Sequence, residues 1–317
     1  MTRYTASIVF LLFAFTASAQ NVAFLGIDPD PRSTSMGGPG IALPGSTYAI
    51  FSNMAAAAYG QGKIEAAYSY TPWMRDIVKG SNLNAAAAYV RFAGRHTLGA
   101  GFRNFTDGEY RQYGETGDMG LFRPHHLSAE IGYAYAVNGS VSVSATLRFV
   151  GSEVSDMPDY KKSDAVAADI GFAYKRGSFA AAFAVSNLGS RIDYGQGGEG
   201  DMPMWIRAGA SYGIEPAEGH LFTGSLGLSY QIHEGNDGIL GSVGAEYTYK
   251  KRYSLRGGFR FGDEKKTSPC YGSVGAGMAF AFRRGFVKGF RLDVAYLITD
   301  KDSPLKNTFQ AGCAFVF

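Results

Sequence analysis

Few residues in this chain have the types and spacing that chemistry requires. Its five histidines are His96, His125, His126, His220 and His233. His125-His126 with Ser128 could supply the base and nucleophile of a hydrolase. That use needs a third group to orient the imidazole, and no Asp or Asn is placed by sequence to do it. His96, His220 and His233 stand alone near segment ends, and no His/Cys/carboxylate cluster has metal-ligand spacing. Asp107, Glu109, Glu115 and Asp118 could gather a surface cation, but a stretch this acidic is first of all a solvated loop. Met36-Gly37-Gly38-Pro39-Gly40 is glycine-rich yet lacks the Lys-Ser/Thr ending of a phosphate loop, so it reads as a tight turn. Cys270 and Cys313 could pair in an oxidising compartment; one near a loop and one on an apolar strand face, they read as two unpaired thiols. The expectation is therefore no enzyme, no metal and no cofactor.

These groups are carried by strands, and the pattern is plainest at Asn307–Phe317 (NTFQAGCAFVF). Phe309, Ala311, Cys313, Phe315 and Phe317 fall on one side of an extended strand. Thr308, Gln310, Gly312, Ala314 and Val316 fall on the other, because side chains alternate with a period of two. Such a strand fits the closing strand of a bacterial outer-membrane barrel. Fourteen strand-like segments follow Lys63, at roughly 63–70, 83–91, 96–103, 125–136, 141–150, 164–175, 179–188, 204–213, 220–232, 239–249, 253–261, 271–282, 287–298 and 306–317. The alternation is clear in 141–149, where Val141, Val143, Ala145, Leu147 and Phe149 interleave with Ser142, Ser144, Thr146 and Arg148. Strands of about 9–11 residues are long enough to cross a bilayer at a tilt.

The connections carry a second signal. Short ones (Phe92–Arg95, Val137–Ser140, Arg176–Ser178, Glu215–Gly219, Lys250–Arg252) alternate with long ones (Thr71–Asn82, Asn104–Pro124, Gly151–Ser163, Gly189–Pro203, Gly262–Pro269, Thr299–Leu305), the brief Glu234–Gly238 being the exception on the long side. An outer-membrane barrel has short periplasmic turns and long extracellular loops. A soluble sandwich or propeller predicts mixed loop lengths, and leaves unexplained the aromatics near strand ends, such as Tyr70, Trp73, Tyr89, Tyr212, Tyr230 and Phe282. The fold predicted is an all-β transmembrane barrel of about fourteen antiparallel strands with an irregular N-terminal plug.

Composition agrees. The 317 residues include 20 Tyr, 23 Phe and 43 Gly at a net charge of +3, which excludes a disordered chain and gives no reason to expect a nucleic-acid partner. Residues 1–19 read as a signal peptide, with Arg3, the apolar run Ile8–Phe15 and Ala17-Ser18-Ala19 before the cut. Residues 20–62 read as an irregular plug with one short helix near Ser52–Ala58, and 63–317 as the barrel.

Strand parity directs Glu65, Glu130, Arg148, Asp169, Arg207, Glu246, Arg256, Arg260, Arg291 and Asp293 inward. Both signs are present, so ion pairs across the wall are expected, with a polar conduit or a docking surface for the plug as the alternative. Many other inward positions are small, among them Ala67, Ala86, Ala88, Gly99, Gly101, Gly132, Gly275 and Gly312. Fourteen strands enclose more space than these fill, so water or protein must occupy the lumen.

Phe24-Leu25-Gly26-Ile27-Asp28-Pro29-Asp30-Pro31-Arg32-Ser33, followed by Met36-Gly37-Gly38-Pro39-Gly40-Ile41-Ala42, resembles the N-terminal signature of the PorV/PorQ family of Bacteroidota. That signature reads FL-x-I-x-P-x-x-R, then M-G-G-x-G-x-A, then Asn-Pro-Ala. Here Phe24, Leu25, Pro29, Arg32, Met36, Gly37, Gly38, Gly40 and Asn53 match it, while Met54 replaces the last Pro. The family resembles FadL-type fatty-acid transporters in its fourteen-stranded barrel, and its PorV and PorQ members belong to the type IX secretion system. The resemblance implies a non-enzymatic role in which long loops hold secreted cargo or secretion-system subunits. Arg111, Tyr113, Tyr160 and Tyr194 are candidate extracellular contacts, since Tyr and Arg anchor interfaces. The alternative is a transporter of small hydrophobic molecules, which needs an apolar pocket in the extracellular half of the lumen. Aromatic residues of the long loops, such as Phe105, Tyr110, Phe122 and Trp73, permit one, while the inward positions offer few large apolar side chains for it. Outer-membrane lipid is a partner under either reading.

Overall fold

The computed structural model describes residues 22–114, 117–158, 160–195, 198–232, 237–263 and 269–317. The expected signal peptide, Glu115 and His233 lie outside them. The strands are β1 (Ile64–Pro72), β2 (Asn82–Phe92), β3 (His96–Thr106), β4 (Tyr110–Gly114), β5 (Gly117–Phe122), β6 (His125–Ala136), β7 (Val141–Glu153), β8 (Ser163–Arg176) and β9 (Phe179–Gly189). They continue as β10 (Ile192–Asp193), β11 (Glu199–Gly200), β12 (Met204–Ala217), β13 (His220–Ile232), β14 (Gly238–Tyr249), β15 (Tyr253–Gly262), β16 (Tyr271–Ala281), β17 (Gly289–Ile298) and β18 (Phe309–Val316). Fourteen of them form one closed antiparallel barrel, with β1 pairing β18 from Glu65↔Val316 to Tyr70↔Ala311. The hairpins β4–β5 and β10–β11 stand apart, within two of the long loops.

Closure follows from the side-chain alternation. Outward positions carry Leu147, Val166, Ile170, Leu226 and Leu255, each at least 60% exposed, the level needed for a lipid-facing belt. Inward positions of the same strands are buried, as in β8, whose burial alternates residue by residue from Ser163 to Ala173. The final strand begins at Phe309 rather than Lys306, because Lys306 closes a turn on Ser303 and Asn307 takes a left-handed φ of 59°.

The core lies in the lumen and is made by the N-terminal segment. Residues 22–62 form five short turns of helix rather than one: Ala23–Gly26, Pro31–Thr34, Gly40–Ala42, Thr47–Phe51 and Met54–Tyr59. Met36, Leu43, Ile50 and Met54 are fully buried against the wall, each stabilising the plug by about 1.5–3 kcal/mol. The small inward residues are where the plug presses. A Cβ at Gly99 would lie 2.6 Å from the Met54 methyl, and one at Gly101 2.8 Å from the Phe51 ring.

One strand has its faces reversed relative to expectation. Leu83, Ala85, Ala87 and Tyr89 of β2 face the lumen, and Ala86 and Ala88 face out. The run Ala85–Ala88 has no polar contrast to fix its parity. Tyr89 is therefore no girdle residue; it is 3% exposed and packs against Gly60 of the plug.

Candidate functional site

The plug is tied to the wall on opposite sides by two buried ion networks. Pro31 at the start of a helical turn, with Asp30 capping the Arg32 amide at 2.9 Å, aims Arg32 at the β14 wall. Its guanidinium grips Glu246 with both arms, at 2.6 and 3.0 Å. Glu246 also accepts from Arg256 at 2.5 Å, Arg256 reaches Asp293 at 2.7 Å, and Arg291 reaches the same carboxylate at 2.8 Å. On the other side Glu130 accepts from Arg103 at 2.7 Å and Arg148 at 3.0 Å, and Arg148 pairs with Asp169 at 2.8 Å. Arg148 also donates to Asn187. Arg103 donates to the Leu25 carbonyl at 3.3 Å and lies over the Phe51 ring at 4.8 Å, which joins this network to the plug. Glu65 holds the exit of the plug, accepting from Thr47 Oγ1 at 2.8 Å and the Gly62 amide at 2.9 Å.

The residues of the N-terminal signature make the fit. Gly37 and Gly38 take φ of 83° and 85°, values that side chains resist. A Cβ at Gly37 would stand 2.6 Å from the Phe259 carbonyl oxygen, and its amide donates to Ser273 Oγ at 2.9 Å. Met36 lies against Gly244 and Gly258, and Gly40 leaves room for Ser33. The Pro29 carbonyl accepts from Ser69 at 2.7 Å. Asn53 caps the turn at the Ala55 amide (3.1 Å) and donates to the Phe172 carbonyl at 2.9 Å. Phe24 stacks on both Phe105 and His126, with centroids 6.0 and 5.7 Å away, and those two rings are themselves 6.0 Å apart. Asp28 accepts from the Asp30 amide and from Ser33; burial, with the Asp30 carboxylate alongside, pushes its carboxyl up to about 6.

Above the plug, at the long-loop end, lies a chamber of about 300 Å³. Phe24 and Ile27 of the plug, Phe105, Trp205 and Leu297 of the wall, and Trp73 and Leu305 of the loops give it an apolar lining. Arg260, stacked on Tyr271 at 5.9 Å, stands at its lower edge. Among the described residues, four buried polar atoms of the lining have no hydrogen-bond partner: Trp205 Nε1, Gln310 Oε1, Thr71 Oγ1 and Thr308 Oγ1. Arg207, stacked on Trp205 at 4.9 Å, and Arg260 both face a smaller pocket of about 60 Å³ beside Asp28 and Asp30.

Sequence parity misses two residues of the lumen. Arg103, 1% exposed and central to one network, ended its expected segment and was left out of the inward set; its parity with Gly99 and Gly101 could have found it. Asn187 takes a φ of 61° at the irregular end of β9, where period two gives no guidance. The apolar pocket that the transporter alternative requires is present, and Trp73 and Phe105 line it, Trp73 there rather than in the girdle.

Of the candidate loop contacts, Tyr113 is 68% exposed and Arg111 pairs with Asp118 across the β4–β5 hairpin. Tyr160 bridges Gly195. Tyr194 is a correction: at 1% exposure, with its hydroxyl on Ser152 Oγ at 2.7 Å, it fixes the loop inward and offers no contact surface. His126 Nδ1 meets Ser152 Oγ at 2.6 Å, but Ser152 does not line the chamber, and Ser128 is taken up by Arg103 and Glu130. No disulfide joins Cys270, which donates to the Gly262 carbonyl at 3.7 Å, to Cys313, and no acidic or His/Cys cluster among the described residues could hold a metal ion.

Comparison with known proteins separates fold from family. The structure is similar to the toluene transporter TbuX of Ralstonia pickettii (TM-score 0.57, 15% identity, 90% of this chain and 97% of that one). It is likewise similar to the toluene transporter TodX of Pseudomonas putida (0.58, 12%, 90% and 95%) and to a FadL homologue of Pseudomonas aeruginosa (0.53, 12%, 90% and 96%). At these identities the likeness is one of fold. No curated protein matches the sequence. Residues 15–218 match the family described as type IX secretion system protein PorV, a span that includes the whole plug and the strands through β12. Family and barrel together point to the bacterial outer membrane. The chain belongs to the PorV family of type IX secretion system proteins.

Proposed function

We propose that this barrel is a non-enzymatic component of type IX secretion that holds a segment of an exported protein, or of a neighbouring secretion subunit, at the outer surface. The observation that carries the reading is the mixed lining of the chamber. An apolar pocket that also carries Asp107 and Arg260 in its lining suits a polypeptide segment, which brings an apolar side chain and backbone amides together. The plug beneath, tied into both ion networks, favours a receptacle over a through-channel. The exposed hairpin carrying Arg111 and Tyr113 stands beside that mouth as a further contact.

The second reading is a transporter of small hydrophobic molecules. The apolar lining of the chamber favours it, as does the shared fold with proteins named as toluene transporters. Deleting the gene in its native host and comparing surface and medium proteomes with wild type separates the two. Loss of a class of secreted proteins, with their accumulation in the periplasm, supports the secretion role. An unchanged secretome with impaired uptake of a hydrophobic substrate supports the transporter and removes the first reading.

A further inference from the structure

The short-turn end of the barrel carries an unpartnered charge patch. Lys250, Lys251 and Arg252 form the β14–β15 turn, and Arg283, Arg284 and Lys288 lie on the next one along the rim, between β16 and β17. All six are exposed, and none makes an ion pair among the described residues. The acids of the short turns, Glu215 and Glu218, sit on the adjoining β12–β13 turn, where the Gly219 carbonyl accepts from the Lys250 amide at 2.6 Å, and they pair with none of the six cations among the described residues. Turn geometry does not account for the lysines. Lys250 and Lys251 take φ of 50° and 56°, where Asn or Gly would cost less.

Cations on a rim are ordinarily only solvated. Here an aromatic column fixes the direction they face. Phe280, Phe290 and Phe315 are paired neighbours across β16, β17 and β18, with ring centroids 6.4 and 4.8 Å apart. Phe315 leads to Phe317 at 6.5 Å and Phe317 to Phe286 at 5.0 Å. Phe315 lies on the lipid-facing side of β18, so the column carries that apolar face to the rim and ends on Phe286, 77% exposed between the cations of its turn. Arg252 lies over Phe280 at 5.2 Å and over the outward ring of Tyr253 at 5.4 Å. Its charge is thus held on the outer surface of the barrel, where the apolar belt meets the headgroup layer. Basic clusters just outside a membrane-spanning element attract anionic headgroups by about 1 kcal/mol per cation.

We infer that the rim over β14–β18 is a binding site for an anionic phospholipid of the periplasmic leaflet. Its phosphate lies among Arg252, Arg283 and Arg284, and its acyl chains lie along the column that ends on Phe286.

The test uses the full-length barrel in nanodiscs of neutral phosphatidylcholine alone or mixed with phosphatidylglycerol, with retained lipid read by native mass spectrometry. Phosphatidylglycerol is expected to stay bound at least tenfold over its share of the bilayer. Arg252→Gln with Arg284→Gln should lower that preference about tenfold, and Phe286→Ser should shorten retention without abolishing the charge preference. Arg95→Gln with Arg176→Gln, on the β2–β3 and β8–β9 turns away from this part of the rim, should leave it intact, and unchanged melting of all variants shows that the barrel is folded. Equal retention of the two lipids overturns the proposal. So does an equal loss in both double variants, which marks a diffuse field in place of a site. Selective loss of an acidic protein partner from native membranes, with lipid retention unchanged, also overturns it.

Discussion

The two levels of the lumen solve the same problem in opposite ways. Below, the plug meets the wall through paired charges and close-set glycines, and it leaves little space. Above, the same wall meets the plug through rings that leave a chamber of about 300 Å³ open, against about 60 Å³ beside Asp28 and Asp30. The contrast shows that most of the space belongs to the upper level. Arg103 and Glu246 prove that this wall can satisfy a demanding buried group when a partner is supplied.

If the lower level is the structural part, damage there should be costly. Glu246→Ala leaves Arg32 and Arg256 buried without their shared carboxylate, and about 3–5 kcal/mol of stability should be lost. Thermal melting in detergent, with trypsin cleavage within residues 22–62 as a local readout, checks this. A loss below about 1 kcal/mol would mean that the network is dispensable. Gly37→Ala comes next. The added methyl meets the Phe259 carbonyl in a left-handed conformation, and about 2–3 kcal/mol is expected, with the loosening confined to the plug in hydrogen exchange.

The pH response should be smaller. Asp28 holds its proton more tightly in the folded chain, with a value of about 6, than in the unfolded chain. Its favourable contribution is therefore complete below about pH 4 and is lost as pH rises through 6. Exchange protection of residues 22–62 should fall across that window in wild type and fall less in Asp28→Asn. An identical profile in both would remove Asp28 as the cause. The gentlest change sharpens the upper level. Ala295→Phe fills the chamber from a buried lining position, so a solvatochromic apolar dye should lose binding at least tenfold while stability falls by only about 1 kcal/mol. If the dye is unaffected, it binds elsewhere.

The barrel was legible in the sequence because polar and apolar residues alternate wherever one face meets lipid. Leu147 and Arg148 cannot exchange faces without exposing one and burying the other wrongly. Ala85–Ala88 lacks that contrast, and its parity was read in reverse. The ion networks were half legible: each charge shows its face, but which neighbour it meets depends on register between strands, Arg256 reaches Asp293 two strands away, and the plug's Arg32 gives no periodic sign of reaching Glu246. The chamber was only partly legible because Trp73, Leu305 and Phe24 come from loops and plug, where no period ranks one side chain as inward. Tyr194 looked exposed for the same reason, being aromatic in a long loop.

The bonds that seat the plug join residues very far apart in the chain. Arg32 meets Glu246, 214 positions on; Gly37 meets Ser273, 236 on; and Gln310 reaches back 282 positions to Asp28. These bonds cannot form until β14, β16 and β18 have been made and placed. Contacts of such separation come late in folding. The N-terminal segment thus acts as a final inspection. It can settle only into a barrel whose seam has closed in the right register, and a misaligned last strand would leave it without a seat and open to proteolysis.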